Sequence, residues 1–351
     1  QIHPADNVMV ALTDLKRGEA INYAGNQFSL QDDVAAKHKF MLRDFQVGDE
    51  VIMYGVLVGK TTQPVPQGGV MTTANVSHAS GDFKFRNATY QWSPPEVSKY
   101  ANRTFKGYVR SDGRVGTANY WLFIPTVFCE NRNLDVIREA LHNELGYAVT
   151  GKYKLKVRNL VDNLRNGADL AELDLSRTEL MPVNSRVFQN VDGIKFLNHQ
   201  GGCGGTRQDS ATLGALLTAY ADHPNVGGVT VLSLGCQHLQ AEDFKKDLLK
   251  RNPKFDKPLL VFEQQKSQSE EALITEAIRQ TFLGLVEINK ITRQEVLLDK
   301  LVIGVKCGGS DGFSGISANP AVGSAADKIV ALGGKVLLAE FPELCGAEQE
   351  L

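Results

Sequence analysis

Cysteine is scarce in this sequence, with five residues in a chain of 351. So few thiols, so widely spaced, exclude the dense disulfide framework of a small secreted protein. In a reducing compartment, thiols more often bind metals or take part in chemistry. The positions of the cysteines are therefore more informative than their number.

The sequence also lacks a strong charge of either sign and any long hydrophobic run. Its formal net charge is -2, with lysine and arginine scattered along the chain, which argues against nucleic acid as a partner. The apolar runs, such as Val229–Leu234 and Leu259–Phe262, fall far short of the ~20 residues of a membrane-spanning helix. No charged segment followed by an apolar one opens the chain. We therefore expect a cytoplasmic protein with no membrane partner.

The hydrophobic pattern divides the chain into two parts. From Val8 to about Ser77, short apolar runs alternate with turn residues, which predicts a small all-β module over residues 1–80. Residues 81–104 have no clean period and include Pro94 and Pro95, which predicts a surface linker. Over residues 105–351, apolar strands alternate with amphipathic helices, as in a Rossmann-like α/β domain with a parallel sheet. No internal repeat is apparent.

Strands and helices are expected to alternate strictly in the second part. The predicted strands are Tyr120–Val127, Gly193–Leu197, Val229–Leu234, Leu259–Phe262, Leu301–Val305 and Lys335–Leu338. The predicted helices of this alternation are Asn133–Glu144, Ala211–Ala221, Ala241–Lys250, Ser269–Val286 and Ala321–Leu332. An irregular stretch, Gly146–Phe188, interrupts the first crossover, and its portion Lys152–Leu164 is also expected to be helical.

Four cysteines follow the ends of predicted strands, where a parallel α/β sheet binds its ligands. They are Cys129, Cys203, Cys236 and Cys307. One interpretation makes each a small buried hydrophobic residue. The other makes Cys203, Cys236 and Cys307, together with His199, a site for a soft metal such as iron or zinc. No pair has the spacing of a zinc ribbon, so such a site would assemble from distant loops.

Glycines cluster beside two of these cysteines, at positions 201, 202, 204, 205, 308, 309 and 312. They suit a place where backbone N–H groups approach a carboxylate or phosphate closely. Tight strand-to-helix turns would use glycine equally well. In the β-module, His3, His38 and Lys39 are candidates for proton transfer, although a lone histidine in a small domain is usually structural.

Three blocks in fixed order resemble the altronate and galactarate dehydratases, a family of sugar-acid hydro-lyases. They are residues 107–129, with GYVR and DGRVGT leading into IPTVFC; residues 203–236, with CG, QD, HPN and LGC; and residues 306–348, with KCGGSDG, SG, NP, PE and GAE. The opening IHPADNV and His38-Lys39 are similar to the family's N-terminal β-clip, or SAF-like, module. The resemblance spans nearly the whole chain, and the KCGGSDG block is specific.

The resemblance implies an iron-dependent enzyme that dehydrates a hexonate or hexarate to a 2-keto-3-deoxy acid. Fe²⁺ is the expected cofactor, with Mn²⁺, another divalent metal or an iron-sulfur cluster as alternatives. His38 or His199 would act as the base that removes the proton α to the carboxylate. Lys39 and Lys306 would stabilise the enediolate charge. A small-molecule sugar acid is the expected partner, and a homo-oligomer the expected assembly.

The resemblance also assigns binding residues by position. The substrate-binding residues would be Asn75, Arg114, Asn119, Gly204, Gln208, Asp209, Gly308, Gly309, Ser310 and Asp311. The expected metal ligands, which rest on the positions of the cysteines after predicted strands, are Cys203, Cys236, Cys307 and Cys129.

Some positions depart from the family pattern. Thr72-Thr73-Ala74-Asn75 lacks the histidines common near the end of the β-module, and Ala118 replaces an arginine that would bind a substrate carboxylate. The chain stops soon after Gly346-Ala347-Glu348, where relatives continue, so we expect a C-terminal region to be missing. Two alternative functions remain open: elimination of another leaving group, as in sulfolactate sulfo-lyase, and non-catalytic binding of a sugar acid.

Overall fold

The structure is a computed structural model, and it describes residues 1–81, 91–148, 151–167, 173, 175, 185–306, 308 and 313–340. The chain forms two compact units. One comprises residues 1–103 together with 297–351, and the other comprises residues 104–296. The predicted division was 1–80, a linker at 81–104, and one domain over 105–351, so the structure differs in where it assigns the last 55 residues.

The N-terminal module is built from short antiparallel strands, as predicted. They are β1 (Val8–Val10), β2 (Ala20–Tyr23), β3 (Asn26–Ser29), β4 (Lys39–Met41), β5 (Glu50–Met53), β6 (Val56–Thr61), β7 (Val70–Met71) and β8 (Val76–His78). They pair as the sheet β1-β4-β7, the hairpin β2-β3 and the sheet β5-β6-β8. Val51, Met41 and Phe45 lie fully buried between these elements, so the alternating apolar residues supply the core.

One turn recurs four times in this module, although the sequence shows no repeat. Each turn follows a residue in an isolated bridge, Leu15 with Val34 or Phe45 with Val65. Three residues later the backbone has a positive φ, at Gly18 (83°), Lys37 (73°), Gly48 (86°) and Gly68 (80°). In each case the N–H of that residue donates to a carbonyl of another strand or loop. Positive φ favours glycine, so Lys37 is the exception.

The second unit is the predicted α/β domain. Its strands are β9 (Thr104–Val109), β10 (Val115–Gly116), β11 (Tyr120–Pro125), β12 (Gly193–Phe196), β13 (Val226–Ser233), β14 (Leu259–Glu263) and β15 (Gln294–Leu297). Its helices are α1 (Asn131–Glu144), α2 (Lys152–Arg165), α3 (Arg207–Asp222), α4 (Ala241–Arg251) and α5 (Glu270–Ile288). The parallel sheet has the order β12-β11-β13-β14. A small sheet of order β10-β9-β15 was not predicted.

The two central strands of the parallel sheet are buried on both faces. One hydrophobic cluster contains Trp121, Phe123, Leu134 and Leu285, and the other contains Ile124, Val229 and Phe244. Strands covered by helices on both faces read as continuous apolar runs, which is why β11 and β13 were predictable. No helix among the described residues combines the length and apolar character needed to cross a bilayer.

The last described segment contains β16 (Val302–Val305), α6 (Ala318–Ala331) and β17 (Lys335–Leu338). The two strands were predicted, and they pair in parallel. However, the prediction assigned them to the main sheet, whereas in the described chain they form a separate two-stranded sheet. Both are largely exposed, so local pattern alone determined the strands and not their partners.

Candidate active site

The carboxyl end of the four-stranded sheet has the geometry of a ligand-binding crevice. After β11 the chain crosses to β12 on one side, and after β13 it crosses to β14 on the other. Loops that leave neighbouring strands in opposite directions open a gap between them, and ligands bind there in α/β proteins. The loops concerned carry Cys129 and Cys236.

The predicted metal ligands do not form a centre among the described residues. Cys129, Cys203 and Cys236 are exposed free thiols. Over the described ranges, no three histidine, cysteine, aspartate or glutamate side chains are grouped so that they could hold a metal ion. Cys307 lies outside the described residues, so the ligand set as a whole stays a prediction. The three described cysteines do not by themselves form a thiolate metal site, and we derive no reaction step through a metal.

His199 makes hydrogen bonds with both ring nitrogens. Nε2 lies 2.8 Å from the carbonyl oxygen of Pro125, and Nδ1 accepts from the N–H of Gly201 at 3.1 Å. The ring is therefore the neutral tautomer with its proton on Nε2. It ties the end of β11 to the loop after β12, and neither nitrogen is left to take a proton or bind a metal. The geometry favours a structural role over the predicted role as base.

Asp209 and its neighbours form the start of α3. The Thr206 hydroxyl accepts from the Asp209 N–H at 3.2 Å, and the Asp209 carboxylate accepts from the Thr206 N–H at 2.7 Å. This is a capping box, which satisfies N–H groups that a helix start leaves unpaired. The backbone bond from Thr206 is the main reason that the pKa of Asp209 lies below its usual value. Gln208 is exposed in the same first turn, and Gly204 has a positive φ with open space around it.

Two predicted substrate-binding residues lie at the opposite, amino end of the sheet. Asn119 directly precedes β11, is fully buried, and donates to the carbonyls of Asn190 and Ile288. Arg114 forms ion pairs with Asp112 and Asp222. Both side chains thus make hydrogen bonds or ion pairs that stabilise the fold. A direct role in binding substrate at the carboxyl end of this sheet does not agree with their positions.

The predicted residues of the β-module have different environments. Asn75 is buried and holds its own turn, because its carboxamide accepts from the Thr72 N–H and donates to the Val70 carbonyl. His38 is exposed, and its Nδ1 lies 3.4 Å from the Ala36 carbonyl oxygen. Lys39 begins β4 and is half-buried. His38 and Lys39 therefore remain candidates, whereas Asn75 has a structural role.

The predicted block after β16 is only partly described. Lys306 is exposed and pairs with Glu340 at 3.2 Å. Gly308 is exposed and has open space around its Cα. Cys307, Gly309, Ser310 and Asp311 lie outside the described residues. Lys306 belongs to the same compact unit as His38 and Lys39.

A polar cluster lies beyond the end of β11, and its residues were not among the predicted site residues. Glu130 and Asn133 are buried, and Asn133 Nδ2 donates to Glu130 Oε2 at 2.9 Å and to Gln264 Oε1 at 3.5 Å. Burial raises the pKa of Glu130. The signal was present in the sequence, because Gln264 directly follows β14 and Glu130 ends the short turn after β11, and polar residues beyond the carboxyl ends of parallel strands are candidates for binding ligands.

Family models match the chain in three consecutive segments. Residues 1–79 match the altronate/galactarate dehydratase SAF domain, residues 107–289 match the second domain of D-galactarate dehydratase/altronate hydrolase, and residues 298–351 match the C-terminal model of D-galactarate/altronate dehydratase. The chain belongs to the galactarate/altronate dehydratase family. The resemblance seen in the sequence is thereby confirmed.

Curated members of the galactarate/altronate dehydratase family align over almost the whole chain. Altronate dehydratase of Bacillus subtilis (strain 168) is 31% identical over 99% of this chain and 61% of the relative. Altronate dehydratase of Escherichia coli (strain K12) is 29% identical over 100% of this chain and 61% of the relative. Galactarate dehydratase (L-threo-forming) of the same strain is 26% identical over 98% and 59%.

The chain spans about three fifths of the length of these relatives. The expectation that a C-terminal region is missing is nevertheless not supported, because residues 298–351 match the family's C-terminal model. The C-terminal family model covers β16, α6 and β17, whereas the model that matches the α/β unit ends at residue 289.

Proposed function

We propose that this chain catalyses the dehydration of a sugar acid, an altronate-like hexonate or a galactarate-like hexarate. The observation that carries the proposal is the alignment with altronate dehydratase of B. subtilis at 31% identity over 99% of the chain. The three consecutive family matches, which include the SAF domain, support it.

The reaction would be a β-elimination that begins at the carbon next to the carboxylate. A base removes the proton from that carbon, the hydroxyl on the following carbon leaves as water, and the enol becomes a 2-keto-3-deoxy acid. The transient enediolate needs positive charge nearby. His38 is the candidate base because it is exposed, and Lys39 and Lys306 are the candidate cations. All three belong to one compact unit.

We also propose that Fe²⁺ is required, on the resemblance to the family alone. When bound, such a metal would polarise the substrate carboxylate and an adjacent hydroxyl. Metal analysis of protein purified without oxygen, before and after Cys203→Ser and Cys307→Ser, tests the ligands. Cys345→Ser is the matched control, since Cys345 is outside the proposed set. Equal iron contents in all four proteins would remove these cysteines as ligands.

The activity is tested with anaerobically iron-loaded protein and a panel of aldonates and aldarates. Formation of a 2-keto-3-deoxy acid from at least one of them is expected. His38→Asn should lower kcat by about 100-fold or more, as expected for loss of a general base, and His78→Asn, an exposed histidine of the same module, should not. Absence of keto acid with every substrate would reject the proposed reaction.

A further inference from the structure

Glu130 is a buried carboxylate, and only one of its two oxygens has a hydrogen-bond partner among the described residues. It lies between the turn after β11 and the start of α1, and its residue has 0% exposure. Oε2 accepts from Asn133 Nδ2 at 2.9 Å, whereas Oε1 is buried without a hydrogen-bond partner among the described residues. A buried carboxylate oxygen without a partner is costly, so this oxygen marks a position where something positive or a donor belongs.

Two amide oxygens beside Glu130 share this condition. The Oδ1 atoms of Asn131 and Asn133 are also buried without a partner in the described chain. Their orientations are set by the nitrogens, because Asn131 Nδ2 donates to the His199 carbonyl at 2.8 Å and Asn133 Nδ2 donates to Glu130. Turning either amide over would bring an oxygen against another acceptor. The unpaired oxygens therefore follow from the contacts around them.

The charge of Glu130 has no cationic side chain opposite it in the described residues. The nearest arginine in sequence, Arg132, is exposed and pairs with Glu270. Burial raises the pKa of Glu130, the bond from Asn133 lowers it, and the charge of Glu270 raises it further. One carboxylate and two amides thus offer acceptor oxygens, within four consecutive residues, and lack a donor.

We propose that Glu130, Asn131 and Asn133 bind an alkali-metal cation, K⁺ or Na⁺, at the carboxyl end of β11. Hard oxygen donors without a thiolate or imidazole select hard cations over iron and zinc. A single carboxylate is neutralised by a single positive charge, and Mg²⁺ would keep most of its own water. The site does not depend on the proposed dehydration. Its consequence is structural: the cation joins the turn after β11 to the first turn of α1.

The test is thermal unfolding at constant ionic strength, with choline chloride replaced stepwise by potassium or sodium chloride. The melting temperature should rise and saturate with one of the alkali cations. When the cation concentration is about 100 times its dissociation constant, the equilibrium constant for unfolding should be about 100-fold lower than without the cation. Glu130→Gln should abolish this response. Glu270→Gln, which removes a carboxylate near the start of α5, should retain it.

A second measurement needs no variant. Crystals soaked in thallium acetate should show an anomalous peak bound to Glu130 Oε1 and the two amide oxygens. A response that is equal in potassium, sodium and choline would overturn the proposal, as would an unchanged response in a folded Glu130→Gln protein. Density for water alone in the thallium-soaked crystals would also overturn it.

Discussion

Arg114 and Asp222 face each other across 108 residues of sequence and form two parallel hydrogen bonds, Nη1 to Oδ2 at 3.0 Å and Nη2 to Oδ1 at 2.7 Å. The pair joins the turn between β9 and β10 to the end of α3. Asn252 adds a third bond, from Nδ2 to Asp222 Oδ1 at 2.8 Å. Such bidentate pairs orient both partners strongly. Arg114 is therefore engaged at the amino end of the sheet, although its sequence motif suggested substrate binding.

The first prediction follows from this pair. Asp222→Ala should lower the free energy of unfolding by about 3 kcal/mol, because it removes one partner of a largely buried ion pair. Arg114→Ala should cost about 2 kcal/mol, since its side chain is 41% exposed and water screens part of the interaction. Urea titrations measure both. The control is Lys290→Ala in an exposed pair with Glu287, where a loss above about 1 kcal/mol would contradict the role assigned to burial.

The second prediction concerns how the free energy of unfolding depends on pH in acid. Burial raises the pKa of Asp222, but the hydrogen bonds and charge of Arg114, with the bond from Asn252, outweigh it and leave the pKa below the usual value. The ionised form is thus favoured by folding. This stabilisation is complete above the unfolded pKa of 3.8 and is lost as the pH falls through the lower folded value. Asp222→Asn should make the free energy of unfolding depend less on pH below 4, by about one proton.

The third prediction concerns Lys257, which caps α3. Its ammonium donates to the carbonyls of Ala221, Asp222 and His223, and burial, with the charge of Arg110 next, lowers its pKa to about 7. Between pH 7 and the unfolded value of 10.5, the unfolded chain holds more protons, so stability should rise with pH there. The slope should be at most about 1.4 kcal/mol per pH unit.

Lys257→Met should flatten this rise between pH 7 and 9, and the exposed Lys254→Met should leave it unchanged. Chemical denaturation at a series of pH values provides the comparison. If both variants keep the slope, another group is responsible for it.

The fourth prediction concerns the exceptional turn residue Lys37. Its φ of 73° is costly for a side chain with a Cβ, and glycine occupies the equivalent place in the other three turns. Lys37→Gly should therefore stabilise the β-module by about 1 kcal/mol. Gly48→Ala should destabilise it by a similar amount, since a Cβ there meets no atom within 4 Å and only the backbone is affected. A loss of stability in Lys37→Gly would show that the lysine side chain outweighs the backbone strain.

The fifth prediction concerns two glycines within helices. A Cβ on Gly284 in α5 would overlap the indole of Trp121, whereas one on Gly323 in α6 would meet nothing within 4 Å. Gly284→Ala should cost about 1–3 kcal/mol through overpacking. Gly323→Ala should gain about 0.5–1 kcal/mol from helix propensity. Equal effects would mean that Trp121 relaxes without cost.

The sequence predicted most of the elements and few of their details. Strands β11 and β13 were found because they are buried on both faces and read as apolar runs. Helix α3 starts four residues earlier than predicted, because the capping box of Thr206 and Asp209 lies before its first apolar residue. The sheet β10-β9-β15 was missed, since β10 has only two residues and β15 pairs across the length of the domain.

The candidate site was predictable in part. The sequence predicted that the loops carrying Cys129, Cys203 and Cys236 follow parallel strands, and the structure has them at the carboxyl end of the sheet, where ligands bind in α/β proteins. It did not show that both nitrogens of His199 are occupied, or that Asn119 and Arg114 lie at the other end of the sheet. Those facts depend on partners far away in sequence.

By itself, the sequence determined the division into a strand-rich module and an α/β part, the strands and helices with strong periodicity, and the family. Periodicity and motifs involve residues close together in the chain, so they can be recognised from the sequence alone. Only the tertiary structure decided which polar side chains pair with each other to stabilise the fold, such as Arg114 with Asp222. It also decided which buried oxygens have no hydrogen-bond partner among the described residues, such as Glu130 Oε1. The reason is physical: hydrogen bonding and burial depend on distances between residues that the chain brings together only when it folds.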